Sequence, residues 1–95
     1  MTCLANLEKT PSDHLDYDID FGRWLPEGDI ITDATAAIAD STVMFSISDV
    51  EVSEQVVRVW VDGGLDGEES EIAIYATTQG GRYKEACFKL RIREC

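Results

Sequence analysis

An all-β domain of about seven short antiparallel strands is predicted by three observations. The chain alternates apolar and polar residues with period two in several runs, the mark of strands with one buried face. Gly-rich and Asp-rich turns separate those runs. The length, 95 residues, admits one domain.

Taken in order, the first thirteen residues read as a polar arm containing Pro11, flexible when free, and the domain proper as residues 14–95. Tyr17, Ile19 and Phe21 then alternate with Asp16, Asp18 and Asp20, giving a strand that is apolar on one face and acidic on the other. It runs into a compact turn, Gly22 to Asp29, punctuated by Pro26 and Gly28. The stretch from Asp29 to Ala39 fits helical spacing through Ile30, Ile31, Ala34, Ala37 and Ile38, and strand spacing through Ile30, Thr32, Ala34, Ala36 and Ile38. Its all-β surroundings favour a strand. Val43, Phe45 and Ile47 share one side of a run from Thr42, and Asp49 to Val52 makes a separate short edge strand. From Gln55, Val57, Val59 and Val61 take one face and Arg58 and Trp60 the other, until the loop Asp62–Gly67. Ile72, Ile74 and Ala76 lead through Gln79-Gly80-Gly81 to Phe88, Leu90 and Ile92, a hairpin. Seven strands in a chain of this length match the size of an immunoglobulin domain.

Composition excludes more than it assigns. Nineteen acids against eight bases give a net charge of −11, the wrong sign for a phosphate backbone or an anionic membrane. No apolar run has the length of a membrane helix, and the first eight residues lack the basic start and apolar core of a secretory signal. Charge is also unevenly placed. Residues 1–71 hold 17 acids and 3 bases, whereas residues 82–94 hold Arg82, Lys84, Lys89, Arg91 and Arg93 against Glu85 and Glu94. This basic strip is read as pairing across strands within the domain, with head-to-tail contact between copies as the alternative. Cys3, Cys87 and Cys95 are an odd set without a Cys-x-x-Cys, so free thiols in a reducing compartment are expected.

Chemistry-bearing motifs are few. Asp16-x-Asp18-x-Asp20 with Glu27 imitates a calcium loop, but Phe21 stands where the sharp turn needs Gly, and Pro26 stands where a helix would begin. His14, the single imidazole, is flanked by Asp13 and Asp16 without a nucleophile motif, and reads as a surface residue. No phosphate loop, nucleophile elbow or metalloprotease helix occurs. No enzyme, cofactor or metal is expected. Tyr17, Phe21, Trp24 and Leu25 are the distinctive residues, bulky and close together. They read as a plug closing one end of the core, or as anchors for a partner.

The pattern Asp16-Tyr17-x-x-Asp20-x-x-x-Trp24-Leu25-x-x-Gly28-Asp29-x-Ile31 resembles the fiber-tail adaptor proteins of bacteriophages and prophages. Lys9 and Pro11 ahead of it, Gly63-Gly64 after the valine strand, Thr77-Thr78 with Gly81 and Arg82, and the closing Phe88-x-Leu90-x-Ile92 fit the same family. The resemblance implies an Ig-like β-sandwich without catalytic residues. It implies a virion component joining a receptor-binding fibre or spike to the tail or its connector, in several copies of a symmetric assembly. Partners would be other tail, connector and fibre proteins, with no nucleic acid and no membrane. The chain would be made in the bacterial host cytoplasm and end in the virion tail. A head decoration or head-closure protein, and a small calcium-binding β-module, are the alternative readings. Edge strands, or the arm laid across a neighbour, would supply the contacts.

Overall fold

The computed structural model describes residues 6–94. Seven strands form two sheets: β1 (Asn6–Lys9), β2 (His14–Asp20), β3 (Ile31–Ile38), β4 (Ser46–Ser53), β5 (Val56–Asp62), β6 (Glu69–Thr78) and β7 (Tyr83–Ile92). One sheet has the order β1-β7-β6-β3 and the other β2-β5-β4. Among the described residues none is helical. The alternation seen in the sequence becomes the inner face of a two-layered sandwich. Val57, Val59 and Val61 face Ile72, Ile74, Phe88, Leu90 and Ile92 in one core, and all of these are within 1% of complete burial.

Four connections cross between the sheets and two are hairpins. The β6–β7 hairpin turns where expected: Gly81 has φ +85°, and its N–H donates to the Thr78 carbonyl at 3.1 Å. The β4–β5 hairpin turns at Glu54 (φ +54°) and Gln55. The carbonyls of these two residues accept from Ile31 N–H at 2.7 Å and Phe21 N–H at 2.8 Å. The turn is therefore clamped by the loop that follows β2.

Three elements depart from expectation. The separate runs Thr42–Ile47 and Asp49–Val52 are one strand, β4, interrupted by a bulge between Ile47 and Asp49. The extra residue, Ser48, resets the alternation, which is why a single strand reads as two. β3 is a strand, but a bulge between Ile31 and Asp33 buries Ile31 and leaves Ile30 40% exposed. Residues 6–9, placed in the arm, are instead an edge strand of the larger sheet, pairing with β7 from Asn6↔Lys89 to Lys9↔Ile92. That pair is parallel, which corrects the wholly antiparallel expectation. Leu7 faces inward opposite Leu90, and Lys9 is only 3% exposed, so these four residues have burial to gain by pairing. The earlier part of the arm, residues 1–5, lies outside the described residues.

Cys87 corrects the free-thiol expectation at that position: it is disulfide-bonded. It is buried on β7 but stands apart from the shared core, on the outer face between Glu85 and Lys89. Cys3 and Cys95 lie outside the described residues.

Candidate functional site

One end of the sandwich collects the residues that the sequence singled out. β2 ends at Asp20, whose carboxylate accepts the Gly22 N–H at 2.8 Å and starts the turn. Trp24 N–H then donates to the Phe21 carbonyl at 3.0 Å, so the chain folds back tightly enough to bring Phe21 and Trp24 into an edge-on ring contact, centroids 5.6 Å apart. Phe21 is fully buried and Leu25 is 9% exposed, while Trp24 and Tyr17 are partly buried against the same core. Lys84 from β7 sits 4.9 Å from the Trp24 ring centroid, and Arg23 sits 5.2 Å from it. The end-plug residues thus lie together, except Tyr17. That ring reaches across to Phe88 of the other sheet at 5.5 Å.

The fastening residue is one whose role the sequence reading missed. Asp29, with its side chain 5% exposed, accepts the Gly80 N–H at 2.9 Å and pairs with Arg82 at 3.0 Å. Thr78 Oγ1 donates to it as well, and accepts from Arg82 N–H at 3.0 Å. The Gln55 side-chain amide donates to the Asp29 carbonyl at 3.0 Å. One side chain therefore holds the β2–β3 loop to the β6–β7 turn. A Cβ on Gly80 would stand 3.0 Å from the Asp29 carboxylate and 2.6 Å from the tip of the Arg82 side chain, so a larger residue there would push the guanidinium off its place on Asp29. Burial alone would push the Asp29 carboxyl up, but the bonds from Thr78, Gly80 and Arg82 outweigh it and hold the group below the usual carboxylate range. The signal is present in the sequence: Gly28-Asp29 and Thr77-Thr78…Gly81-Arg82 stand as separate motifs, and the structure makes them one contact.

Tyr17 carries the single buried side-chain polar atom without a partner among the described residues. Burial, reinforced by the Asp13 and Asp16 carboxylates, pushes its hydroxyl up to about 12. A phenol shifted upward keeps its stabilising protonation below the ordinary value of 10 and loses it as pH rises toward 12. In a spectrophotometric alkaline titration, Tyr17 is expected to ionise near pH 12. Tyr17→Phe should remove that late step and leave the melting temperature equal or raised by a few degrees, since an unsatisfied hydroxyl costs about 1 kcal/mol or more to bury.

The other expected features separate cleanly. Asp16, Asp18 and Asp20 project from one face of β2, and among the described residues no three His, Cys, Asp or Glu side chains are grouped so as to hold a metal ion. Arg58 lies between two of them, 3.1 Å from Asp16 and 2.9 Å from Asp18. His14 hydrogen-bonds Ser48 Oγ at 2.9 Å and packs on Trp60, 5.3 Å between centroids. The basic strip is engaged inside the domain: Lys89 and Arg91 reach Glu69, Arg93 reaches Glu8, and Arg82 reaches Asp29.

The structure is a small two-layered β-domain in which motif residues from distant parts of the chain interlock at one end. Residues 9–91 match the family model described as podophage GP4 fiber-tail adaptor protein gp77, and the chain belongs to that family. It is a virion component, and its family places it among tail and fibre proteins. No curated protein matches the chain.

Proposed function

We propose that this chain is a non-enzymatic adaptor that attaches the receptor-binding fibre or spike to the tail or its connector, in several copies of a symmetric assembly. Its partners are proteins, with neither nucleic acid nor membrane among them. It folds in the host cytoplasm before joining the particle. The observation that carries this reading is the family match across residues 9–91. At the end of the sandwich that follows β2, Phe21, Trp24 and Leu25 serve as the internal plug that gives the end its shape, with Trp24 as the part presented to a neighbour, while Tyr17 anchors the core against Phe88. The order β1-β7-β6-β3 over β2-β5-β4 supports an immunoglobulin-like sandwich. Such a domain offers outer faces and edge strands as contacts and lends rigidity to a joint. Because Asn6–Lys9 pairs with its own β7, the arm that could cross to a neighbour is confined to residues before Asn6.

The test is a phage in which the gene for this chain is deleted and supplied in trans. Electron micrographs of particles made without it are expected to show filled heads and tails that lack fibres. Fibres at normal occupancy would sink the reading. Bare or unsealed heads would favour the head-protein alternative.

A further inference from the structure

We propose that the outer face of the three-stranded sheet, centred on Trp60, docks a basic segment of a different virion protein, with an Arg or Lys over the indole between the carboxylates of Asp16 and Asp49. The proposal deepens the adaptor reading and rests on it.

Strand register defines the face. Its four rows across β2, β5 and β4 are His14–Asp62–Ser46, Asp16–Trp60–Asp49, Asp18–Arg58–Glu51 and Asp20–Val56–Ser53. The core is satisfied from the opposite side by Val57, Val59 and Val61, so folding does not require a tryptophan here. Trp60 is nonetheless held in place. Its indole N–H donates to Glu51, and the ring of His14, itself bonded to Ser48, packs at 53° to it. His14, Ser48, Asp49, Glu51 and Trp60 line a shallow hollow. A fixed indole among carboxylates is chemistry suited to an organic cation, and tryptophan is the residue most enriched at interface hot spots.

Charge chooses the occupant. The face carries six acids, Asp16, Asp18, Asp20, Asp49, Glu51 and Asp62, against Arg58 alone. Arg58 is already shared by Asp16 and Asp18. Asp49, Glu51, Asp20 and Asp62 form no ion pair among the described residues. Like charges in adjacent rows repel, and a cationic partner relieves them. A second copy of this chain is a poorer source of those cations, since each of its own is already engaged within the domain. Arg58, Arg82, Lys89, Arg91 and Arg93 are in ion pairs, Arg23 and Lys84 flank Trp24, and Lys9 is buried with its ammonium on the Thr10 carbonyl at 2.7 Å. Four rows on three strands are fewer residues than the roughly 20–30 per side of a standard interface, which favours a segment over a flat domain surface.

The experiment uses particles of the deleted phage complemented with the wild-type chain, Trp60→Ser or Asp49→Lys. Asp49 is an exposed strand residue, so the lysine variant is expected to melt within about 3 °C of wild type. It guards against loss of folding in Trp60→Ser. Both variants should lower, by about tenfold or more, the amount of this chain or of its crosslinked partner on purified particles. Zero-length carbodiimide coupling of wild-type particles should join Asp49, Glu51 or Asp16 to a lysine of another virion protein. Wild-type occupancy with Asp49→Lys, or coupling of these carboxylates to a second copy of this chain, would overturn the proposal while leaving the adaptor reading standing. Absence of the wild-type chain from tails would end both.

Discussion

Gly64→Ala is expected to lower the melting temperature by about 15 °C. The residue has φ +108°, a conformation closed to most side chains. A Cβ there would stand 2.9 Å from Ile92 Cγ1 and 3.2 Å from Phe45 Cβ. Ile92 is fully buried and Phe45 is 2% exposed, so neither has free space to retreat into. Backbone strain of about 1–3 kcal/mol and overpacking of about 1–3 kcal/mol add, and each kcal/mol moves the midpoint of a domain this size by roughly 4–8 °C. Gly67→Ala separates the two causes. Its φ is +92°, but a Cβ there would meet nothing within 4 Å. It should show the strain alone and lose no more than about half as much. Paired thermal melts followed by circular dichroism check both, and equal losses would show that the contact with Ile92 and Phe45 is not the source.

Asp29→Ala is expected to cost about 5 °C and to loosen one end of the molecule selectively. Removing the carboxylate leaves the buried Thr78 hydroxyl without its acceptor and frees the exposed Gly80 N–H and Arg82 guanidinium to water, so one buried group carries most of the loss. Hydrogen exchange should accelerate at Gly80 and Arg82 and remain slow in the centres of β5 and β6. Acid supplies an independent check. The folded carboxyl sits below its ordinary value of 3.8, so its contribution is complete above that value and disappears as pH falls through the lower folded one. Asp13, Asp18 and Asp40 are lowered too, so the whole domain should weaken below about pH 4. The gap between wild type and Asp29→Ala should narrow over the same range. A gap constant from pH 6 to pH 2 would mean that the side chain acts by packing rather than by charge.

Strands with strict alternation were legible because one buried face leaves a period of two in the sequence. β5 is the clearest case, with three valines inward and Arg58 and Trp60 outward. β4 was legible only in halves, since a single inserted residue inverts the phase. β1 was illegible. Four residues with one leucine carry almost no periodic signal, and the partner that buries them lies at the other end of the chain. At the candidate site, Trp24 and Leu25 stood out by size. Asp29 could not be told from the other eighteen acids, because what sets it apart is the hairpin folded onto it. Trp60 was visibly on the polar side of its strand, yet its setting between Asp16 and Asp49 required the register of three strands.

The parallel pairing of β1 with β7 has a consequence for biosynthesis. Of the seven described strands, β1 leaves the ribosome first and its mate last, so this edge of the larger sheet closes only after the five strands between them have been made. Long-range closure of this kind is slow. In the interval, the vacant flank of β7 can accept the equivalent strand of a second nascent molecule. At high expression, exchanged dimers are therefore the misassembly to look for, and dilution before folding should suppress them.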